Sequence, residues 1–294
     1  MQVETQWLKP QQPGRRVQQE PALLRWSLIA AAVAVISVLV IVPVVSILVQ
    51  AFAKGWSVYW RSLADADTVH AIKLTLFVAP IAVIANVIFG IAAAWAVTRF
   101  RFPGRTLLTT IIDLPFAVSP VVAGLMITLL FSRRGYFGPW LLEHGIQILF
   151  SWPAIILATA FVTFPFVARE LIPIMDALGS DEETAAVSLG ASGWQMFWRV
   201  TVPNIKWGLL YGVILCSARA IGEFGAVYVV SGHIHGQTTT VPVRINQLYE
   251  DYNNAGAFTV ASVLTLFALV TLGIKVVLER KTRQELEEAH SETT

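Results

Sequence analysis

The stretch WSLIAAAVAVISVLVIVPVVSILVQAFA, residues 26–53, contains no charged side chain and decides the class of fold. A helix that crosses a membrane needs about 20 apolar residues, because each residue advances the helix by about 1.5 Å. The stretch is longer than the core of a signal peptide, which has about 7–15 residues, and no small-residue cleavage site follows it. We therefore predict a membrane-spanning helix that is not removed as a signal peptide.

The composition of the whole chain agrees with a membrane protein. Of its 294 residues, 55 % are hydrophobic and 14 % are charged, with a net charge of +2, whereas soluble domains carry about 25 % charged residues. These values exclude a disordered chain and argue against a nucleic-acid partner recognised through net charge. The single cysteine, Cys216, excludes an internal disulfide, and no Cys/His spacing predicts a metal site. We expect His233 and His235 to be solvated surface side chains.

Further charge-free runs locate the other spans. The fifth predicted span differs from the rest because it contains Arg219 and Glu223. The sequence therefore predicts an all-α integral membrane protein with six transmembrane helices in residues 26–278, between terminal tails at 1–25 and 279–294. The predicted spans are 26–53, 74–98, 114–132, 145–168, 207–231 and 252–274.

The distribution of Lys and Arg predicts the orientation, since positive residues concentrate on the cytoplasmic side. They cluster at both ends of the chain and in segments 99–105 and 169–206. Both termini are therefore predicted to be cytoplasmic in a multi-pass protein of the bacterial inner membrane. The alternate loops, 54–73, 133–144 and 232–251, are predicted to face outward.

The connection over residues 176–206, DALGSDEETAAVSLGASGWQMFWRVTVPNIK, is too patterned to be a simple loop. Three acidic residues after Ser180 suit the first turn of a helix, and Gly190 suits its end. Ser192 can cap a second short helix, which we expect Pro203 to stop. Large exposed apolar side chains there predict contact with another protein. A segment lying on the lipid surface is the alternative.

This segment resembles the cytoplasmic loop E-A-A-x3-G-x9-I-x-L-P of permease subunits of bacterial ABC importers. The glycine, the proline and the spacing match, but Thr184 stands at the glutamate position and Glu183 lies one residue earlier. The resemblance implies a type I importer permease whose two short helices couple to a separate ATP-binding subunit dimer. The residues implied in coupling are Glu183, Thr184, Ala185, Ala186, Gly190, Ala191, Ser192, Trp194 and Pro203.

The chain contains no G-x4-G-K-[ST] loop to hold nucleotide phosphates. We therefore expect that it is not an enzyme and that it holds no cofactor or metal. ATP and Mg would bind the partner ATPase, and the resemblance further implies a non-identical permease subunit and an external binding protein.

Arg219 and Glu223 are four residues apart, which predicts an ion pair on one helix face. The pair either lines the translocation path or is a strut that fixes helix packing. Two prolines, Pro115 and Pro120, predict a bend in the third span, with Asp113 at the cytoplasmic interface; the bend is either part of the path or a packing kink. The candidate path residues are Ser119, Ser217, Arg219, Gly222, Glu223 and Gly225.

The stretch SARAIGEFGAVYVVSG, residues 217–232, resembles the R-A-x-G-E-F-G pattern of sulfate and molybdate importer permeases. Segments 189–212, 231–238 and 248–253 resemble the sulfate/thiosulfate permeases more closely, within a similarity that covers about residues 69–278. The implied function is an ATP-driven sulfate/thiosulfate importer. A molybdate or tungstate permease, an ion-gradient-driven secondary transporter and a membrane receptor or assembly factor without transport are the alternatives.

Overall fold

The structure is a computed structural model that describes residues 22–292, with side chains described for residues 23–277. The chain divides into two units, residues 1–46 and 47–294. All regular structure in the described residues is helical: α1 (Ala22–Phe52), α2 (Trp56–Leu63), α3 (Ala66–Arg99), α4 (Arg105–Ala117), α5 (Pro120–Phe131), α6 (Gly138–Glu143), α7 (Trp152–Leu178), α8 (Asp181–Ser188), α9 (Gly193–Met196), a π-helical turn (Phe197–Thr201), α10 (Val202–Ile221), α11 (Gly225–Ser231), α12 (Val241–Glu250) and α13 (Asn254–Glu292).

Among the described residues, five helices are long and apolar enough to cross a membrane, and a sixth span results if the bent pair α4–α5 counts as one. The five are Leu23–Phe52, Ala66–Arg99, Trp152–Leu178, Gly193–Ile221 and Asn254–Val277. The predicted number of six spans agrees with the larger count. Residues 1–21 of the predicted N-terminal tail lie outside the described residues.

The first unit contributes the start of α1, whose apolar side chains are almost all exposed. In the second unit the main core lies between α3, α7 and α10. Glycines allow these helices to approach closely. A Cβ atom on Gly90 would lie 2.8 Å from the Val167 side chain, and a Cβ atom on Gly212 would lie 3.3 Å from the Cα atom of Val167. Small residues at such positions are typical of helix contacts in membranes, where burial of apolar surface does not drive association.

Two further cores extend the second unit. Residues of α5, α7 and α11 form one, in which Gly124 of α5 lies against the backbone of Ala226. Residues of α3, α12 and α13 form the other. Both cores consist mainly of alanine, valine, isoleucine and leucine, so packing is close and leaves the outward faces of α5 and α13 apolar and exposed.

The fourth span differs from the prediction of 145–168, because α7 runs from Trp152 to Leu178. Gly145 and Phe150 have φ of 67° and 59°, a left-handed conformation that a right-handed helix cannot contain. At its other end α7 continues through Arg169 and Glu170, although the predicted span stops before these two charged residues. Arg169 is tolerated there because it pairs with Asp113.

The predicted fifth span, 207–231, is wrong as a single helix. The helix α10 ends at Ile221, and α11 begins only at Gly225. The intervening Gly222 follows the last turn of α10, and the buried carboxylate of Glu223 accepts a hydrogen bond from the N–H of Ala226 at 3.0 Å. Glu223 therefore satisfies a free backbone donor at the start of α11 and ends the continuity of the span.

Pro203 does not stop the second short helix, which corrects another expectation. The helical chain runs from Gly193 to Ile221 because residues 197–201 form a π-helical turn. In such a turn the N–H groups bond five residues back, as Val202 does to the carbonyl of Phe197. The wider turn accommodates proline, which lacks an N–H and clashes with the carbonyl four residues earlier in an α-helix.

The last span begins at Asn254, because Tyr252 has a φ of 58°. Its helix, α13, continues past the predicted boundary at residue 278 and reaches Glu292. The third span is bent as predicted: α4 and α5 meet at an angle of 111°, with Pro120 at the start of α5.

Candidate coupling segment and translocation path

The coupling segment, residues 176–206, contains the two short helices that the sequence predicts. Asp181, Glu182 and Glu183 lie in the first turn of α8, where the helix dipole favours negative charge. Gly190 has a φ of 91°, and the next N–H, that of Ala191, bonds to the carbonyl of Ala186 at 3.0 Å. This arrangement ends α8 with a left-handed glycine.

Ser192 begins the second short helix with a reciprocal cap. Its side chain accepts a hydrogen bond from the backbone N–H of Gln195, and the side chain of Gln195 accepts one from the N–H of Ser192 at 2.9 Å. The turn between α8 and α9 is therefore fixed at both sides by local bonds.

Aromatic side chains pack the coupling segment against α3. Phe197 stacks on Trp95 of α3 with ring centroids 4.8 Å apart. Trp194 and Trp198 pack around Phe197 on the exposed side. The stacking fixes the position of the segment relative to α3.

Glu183 is the strongest polar link of the segment to the spans. Its carboxylate pairs with Arg99 at the end of α3, with Nε–Oε2 and Nη2–Oε1 distances of 2.7 and 3.2 Å. It also accepts a hydrogen bond from the hydroxyl of Thr201 at 2.8 Å. Arg99 in turn donates to the carbonyl of Met175 in α7. The sequence did not predict Arg99 as a partner, because 84 residues separate it from Glu183.

The opposite side of the segment is open and apolar. Leu189 is 89 % exposed and Trp194 is 72 % exposed. Thr184, Ala185 and Ser192 are exposed beside them, whereas Ala186 and Ala191 are half-buried along a shallow cavity between α8 and α9. Pro203 is exposed at the start of α10. All the predicted coupling residues except Glu183, Ala186 and Ala191 are thus exposed.

The predicted pair Arg219–Glu223 is present, with Nη1 and Oε2 at 2.6 Å. It does not lie on one helix, because Arg219 belongs to α10 and Glu223 follows its end. The Glu223 side chain is fully buried, whereas one third of the Arg219 side chain is exposed. A buried carboxylate thus holds a partly exposed arginine side chain at the break between α10 and α11.

The two helix breaks lie against each other. A Cβ atom on Gly225, at the start of α11, would lie 3.0 Å from Pro120 at the start of α5. Ser119, directly before Pro120, is exposed and makes no capping bond with its side chain. The structure therefore brings Ser119, Gly225 and Glu223 to one region, with Gly222 exposed between the helices. Ser217 does not join them: its hydroxyl donates to the carbonyl of Val213, on another face of α10.

Residues 86–284 match the family described as the binding-protein-dependent transport system inner membrane component. The chain belongs to this family.

Relatives in this family match nearly the whole chain. The sulfate transport system permease protein CysW of Escherichia coli K12 is 54 % identical over 268 residues, which cover 91 % of this chain and 92 % of that protein. Sulfate permease 2, chloroplastic, of Chlamydomonas reinhardtii is 50 % identical, covering 88 % of this chain and 70 % of that protein. The sulfate transport system permease protein CysT of E. coli K12 is 38 % identical, covering 81 % and 86 %.

A solved bacterial ABC transporter, involved in the import of the acidic polysaccharide alginate, has a chain of the same fold. The TM-score is 0.69 at 17 % identity, and the match covers 89 % of this chain and 96 % of that chain. At this identity the similarity concerns the fold alone. The all-α membrane architecture predicted from the sequence is confirmed.

The permease structure also contains an ion pair that the sequence did not predict. About two thirds of the way along α7, Arg169 Nε lies 2.9 Å from Oδ1 of Asp113 in α4, and Nη2 lies 3.4 Å from Oδ2. The guanidinium lies over the ring of Phe116 at 5.3 Å. The sequence predicts Asp113 and Arg169 only as residues at the ends of two different spans. They are 56 positions apart, so no local sequence pattern indicates that they pair.

A second unpredicted cluster joins the start of α3 to α12. Asp65 caps α3 and accepts a hydrogen bond from Arg244 at 2.9 Å, while the same guanidinium lies 3.8 Å from Asp67. His235 is exposed, as expected, and pairs with Asp67 at 3.2 Å. His233 was expected to be solvated, but it is not: its ring forms a hydrogen bond with the carbonyl of Tyr228 and packs against the Tyr228 ring.

Proposed function

We propose that this chain is the transmembrane permease subunit of an ATP-driven importer of sulfate and thiosulfate. The observation that carries the proposal is its 54 % identity, over 91 % of its length, with a protein named as a sulfate transport permease. The subunit would form half of the translocation path and leave ATP hydrolysis to a partner.

The exposed apolar surface of the coupling segment supports a partner ATPase. Leu189, Trp194 and Trp198 are exposed apolar side chains of the segment, and the two tryptophan rings are in contact, which suits a groove on another protein. Because Glu183 and Phe197 fasten the segment to α3, a movement of the docked partner would be transmitted to the spans. ATP and Mg would bind a dimer of that partner, so this chain would need no cofactor of its own.

E. coli K12 has two permease proteins that are similar to this chain, CysW and CysT. This supports a second, non-identical permease as the partner that completes the path. The family description supports an external binding protein, which would deliver the anion to the outward loops. Both termini would face the cytoplasm and the exposed faces of α1 and α13 would contact membrane lipid.

The mechanism follows from two states with different contacts at the coupling segment. Closure of the ATP-bound partner would pull α8 and α9 and tip α3, α7 and α10 toward the outward-open state. The anion would enter from the binding protein and pass the breaks at Ser119 and Gly222, where the side chain of Arg219 is partly exposed. Selectivity would be set mainly by the binding protein, so the path itself would bind the anion weakly.

The test is uptake of labelled sulfate by proteoliposomes that contain this chain, its permease partner and the ATPase, with ATP on the cytoplasmic side and the binding protein outside. We expect uptake that requires ATP and the binding protein and that thiosulfate, but not molybdate, inhibits. The control omits ATP.

Two results would contradict the proposal in different ways. Inhibition by molybdate or tungstate at equal concentration would transfer the substrate assignment to those anions. Uptake that persists without ATP and follows an ion gradient would replace the ABC importer with a secondary transporter.

A further inference from the structure

Asp113 and Arg169 form an ion pair in the interior of two apolar helices. Arg169 is nine residues before the end of α7, and Asp113 is four residues before the end of α4. A charged side chain in the centre of a spanning helix costs about 2.5–3.5 kcal/mol on insertion scales, so it faces protein or a water-filled cavity rather than lipid. About half of each side chain is nevertheless exposed in this chain.

The geometry leaves part of the Arg169 guanidinium available. Asp113 engages Nε and Nη2, and Phe116 covers one face of the plane. Within the part of the chain that the structure describes, Nη1 makes no hydrogen bond. A planar guanidinium held on two sides with a free donor edge is suited to bind an oxygen of a tetrahedral oxyanion.

The depth of Arg169 relative to Arg219 can be read from the packing of α7 against α10. Gly208 lies against Ile174 and Gly212 against Val167, so the two helices are antiparallel. Arg219 is seven residues beyond Gly212 in one direction, and Arg169 is two residues beyond Val167 in the other. At 1.5 Å per residue the two arginines are roughly 13 Å apart along the helix axes. Arg169 lies nearer the coupling segment.

We propose that Arg169 is a second binding site for the transported oxyanion dianion, on the coupling-segment side of Arg219. Asp113 is its internal counter-ion. The anion displaces the carboxylate from the guanidinium when it arrives, and the carboxylate returns when the anion leaves. Exchange of one anionic partner for another keeps the arginine charge paired at each step.

The proposal rests on the proposed transport function and adds a site to it. A strut between α4 and α7 is the competing explanation. The same two helices supply a matched control, because Arg105 and Asp176 form a second pair at 3.9 Å with both side chains about half exposed. That pair lies at the ends of α4 and α7, outside their apolar interior.

The first experiment compares two double variants in the reconstituted complex, Arg169→Met/Asp113→Leu and Arg105→Met/Asp176→Leu. Replacing both members of a pair leaves no orphan charge, so a strut tolerates the change. Loss of a charge-assisted contact with the anion is expected to lower sulfate uptake about tenfold in the first variant. ATP hydrolysis stimulated by the loaded binding protein is expected to persist. Because Asp176 begins the coupling segment, uptake and stimulated ATP hydrolysis are expected to change together in the control variant, and the ratio of uptake to hydrolysis is expected to stay within about twofold of the parent.

Uptake that is equal in both variants would overturn the proposal, as would joint loss of uptake, ATP hydrolysis and assembly in the first variant only. Absence of sulfate uptake by the unaltered complex would instead contradict the proposed function. The second experiment separates these cases because it measures binding rather than transport.

The second experiment uses Phe116→Cys and a membrane-impermeant maleimide in the assembled complex. Cys216 is fully buried, so in this chain the new thiol is the one available for labelling. We expect labelling that sulfate slows several-fold and that chloride at equal ionic strength does not. The protection is expected to disappear when Arg169→Met is added. An unlabelled thiol, or labelling that sulfate leaves unchanged, would show that this face is covered by lipid or by the partner and would overturn the proposal.

Discussion

Glu183 shows how a single side chain fixes the coupling segment to the spans. Its carboxylate holds Arg99 and Thr201 together, and both members of the Glu183–Arg99 pair are almost buried. Removal of one member would leave the other charge without a partner in a place where water cannot replace it. Such a loss is more costly than loss of an exposed ion pair.

We predict that Glu183→Gln lowers the free energy of unfolding by about 2 kcal/mol, because Arg99 loses its counter-ion. The measurement is thermal unfolding of the purified complex in detergent, with stimulated ATP hydrolysis as the second readout. Glu182→Gln is the matched control: Glu182 is exposed and accepts a hydrogen bond from Asn204. It is expected to change stability by less than about 0.5 kcal/mol. Equal effects of the two variants would contradict the assignment.

Asp65 gives a prediction of pH dependence. Partial burial raises the pKa of this carboxyl, but hydrogen bonds from the backbone and hydroxyl of Thr68 and the guanidinium of Arg244 outweigh the burial and leave the pKa below its ordinary value of 3.8. Stability from this group is therefore present above pH 3.8 and is lost as the pH falls through the lowered pKa.

We predict that Asp65→Asn removes part of the acid sensitivity of the complex. At neutral pH the variant is expected to unfold at a lower temperature than the parent, since the charge-assisted bonds to Arg244 are weakened. The difference between the two unfolding temperatures is expected to shrink as the pH falls below 3.8. A difference that stays constant from pH 7 to pH 3 would contradict the prediction.

The ion pairs also show what the sequence could predict at this scale. Arg219 and Glu223 are four residues apart, so helical spacing alone identifies them as partners. Arg99–Glu183 and Arg169–Asp113 depend on which helices lie side by side, and no local pattern contains that information. The sequence shows that a charge in an apolar run needs a partner, but not which residue supplies it.

At the scale of elements, the predicted helix ends were right where local backbone bonds determine them and wrong where they do not. Gly190 and Ser192 end and begin helices because their local bonds suffice to do so. Pro203 was expected to stop a helix, but the π-helical turn before it removes the clash. The break at Gly222 was missed because the apolar run continues on both sides, while Glu223 caps the following helix.

Gly190 and Gly193 allow a test of the turn between α8 and α9. A Cβ atom would meet nothing within 4 Å at either position, but only Gly190 has a positive φ, of 91°. We predict that Gly190→Ala costs about 1 kcal/mol and lowers uptake together with stimulated ATP hydrolysis, since the left-handed conformation is strained for alanine. Gly193→Ala is expected to be neutral or slightly stabilising, because alanine favours a helix. A parallel loss in both variants would show that the cause is crowding by the partner rather than strain.

At the scale of the molecule, the second unit combines a packed group of helices with the coupling segment that is attached to them. The helices α3, α7 and α10 share one core, and Gly90 and Gly212 allow their backbones to lie in contact. The coupling segment is continuous with α10 and is tied to α3 by Arg99 and Trp95. A displacement of the segment therefore acts on all three helices together, since closely packed interiors transmit strain.

The number of spans determines the orientation of this molecule and depends on the bent pair α4–α5. If the pair crosses the membrane, there are six spans and the termini lie on one side. If it returns to the side from which it entered, there are five. The exposed residues Arg101 and Arg134 lie just before and just after the pair.

We predict that Arg101→Cys and Arg134→Cys face opposite sides, because the Lys and Arg distribution fits six spans with cytoplasmic termini. The measurement is labelling with an impermeant maleimide in right-side-out vesicles, before and after permeabilisation. Position 134 is expected to react in intact vesicles and position 101 only after permeabilisation. In the six-span arrangement His235→Cys is expected to react like position 134, and the buried Cys216 contributes no background. Reaction of both positions from the same side would make α4–α5 re-entrant, and the termini would then lie on opposite sides of the membrane.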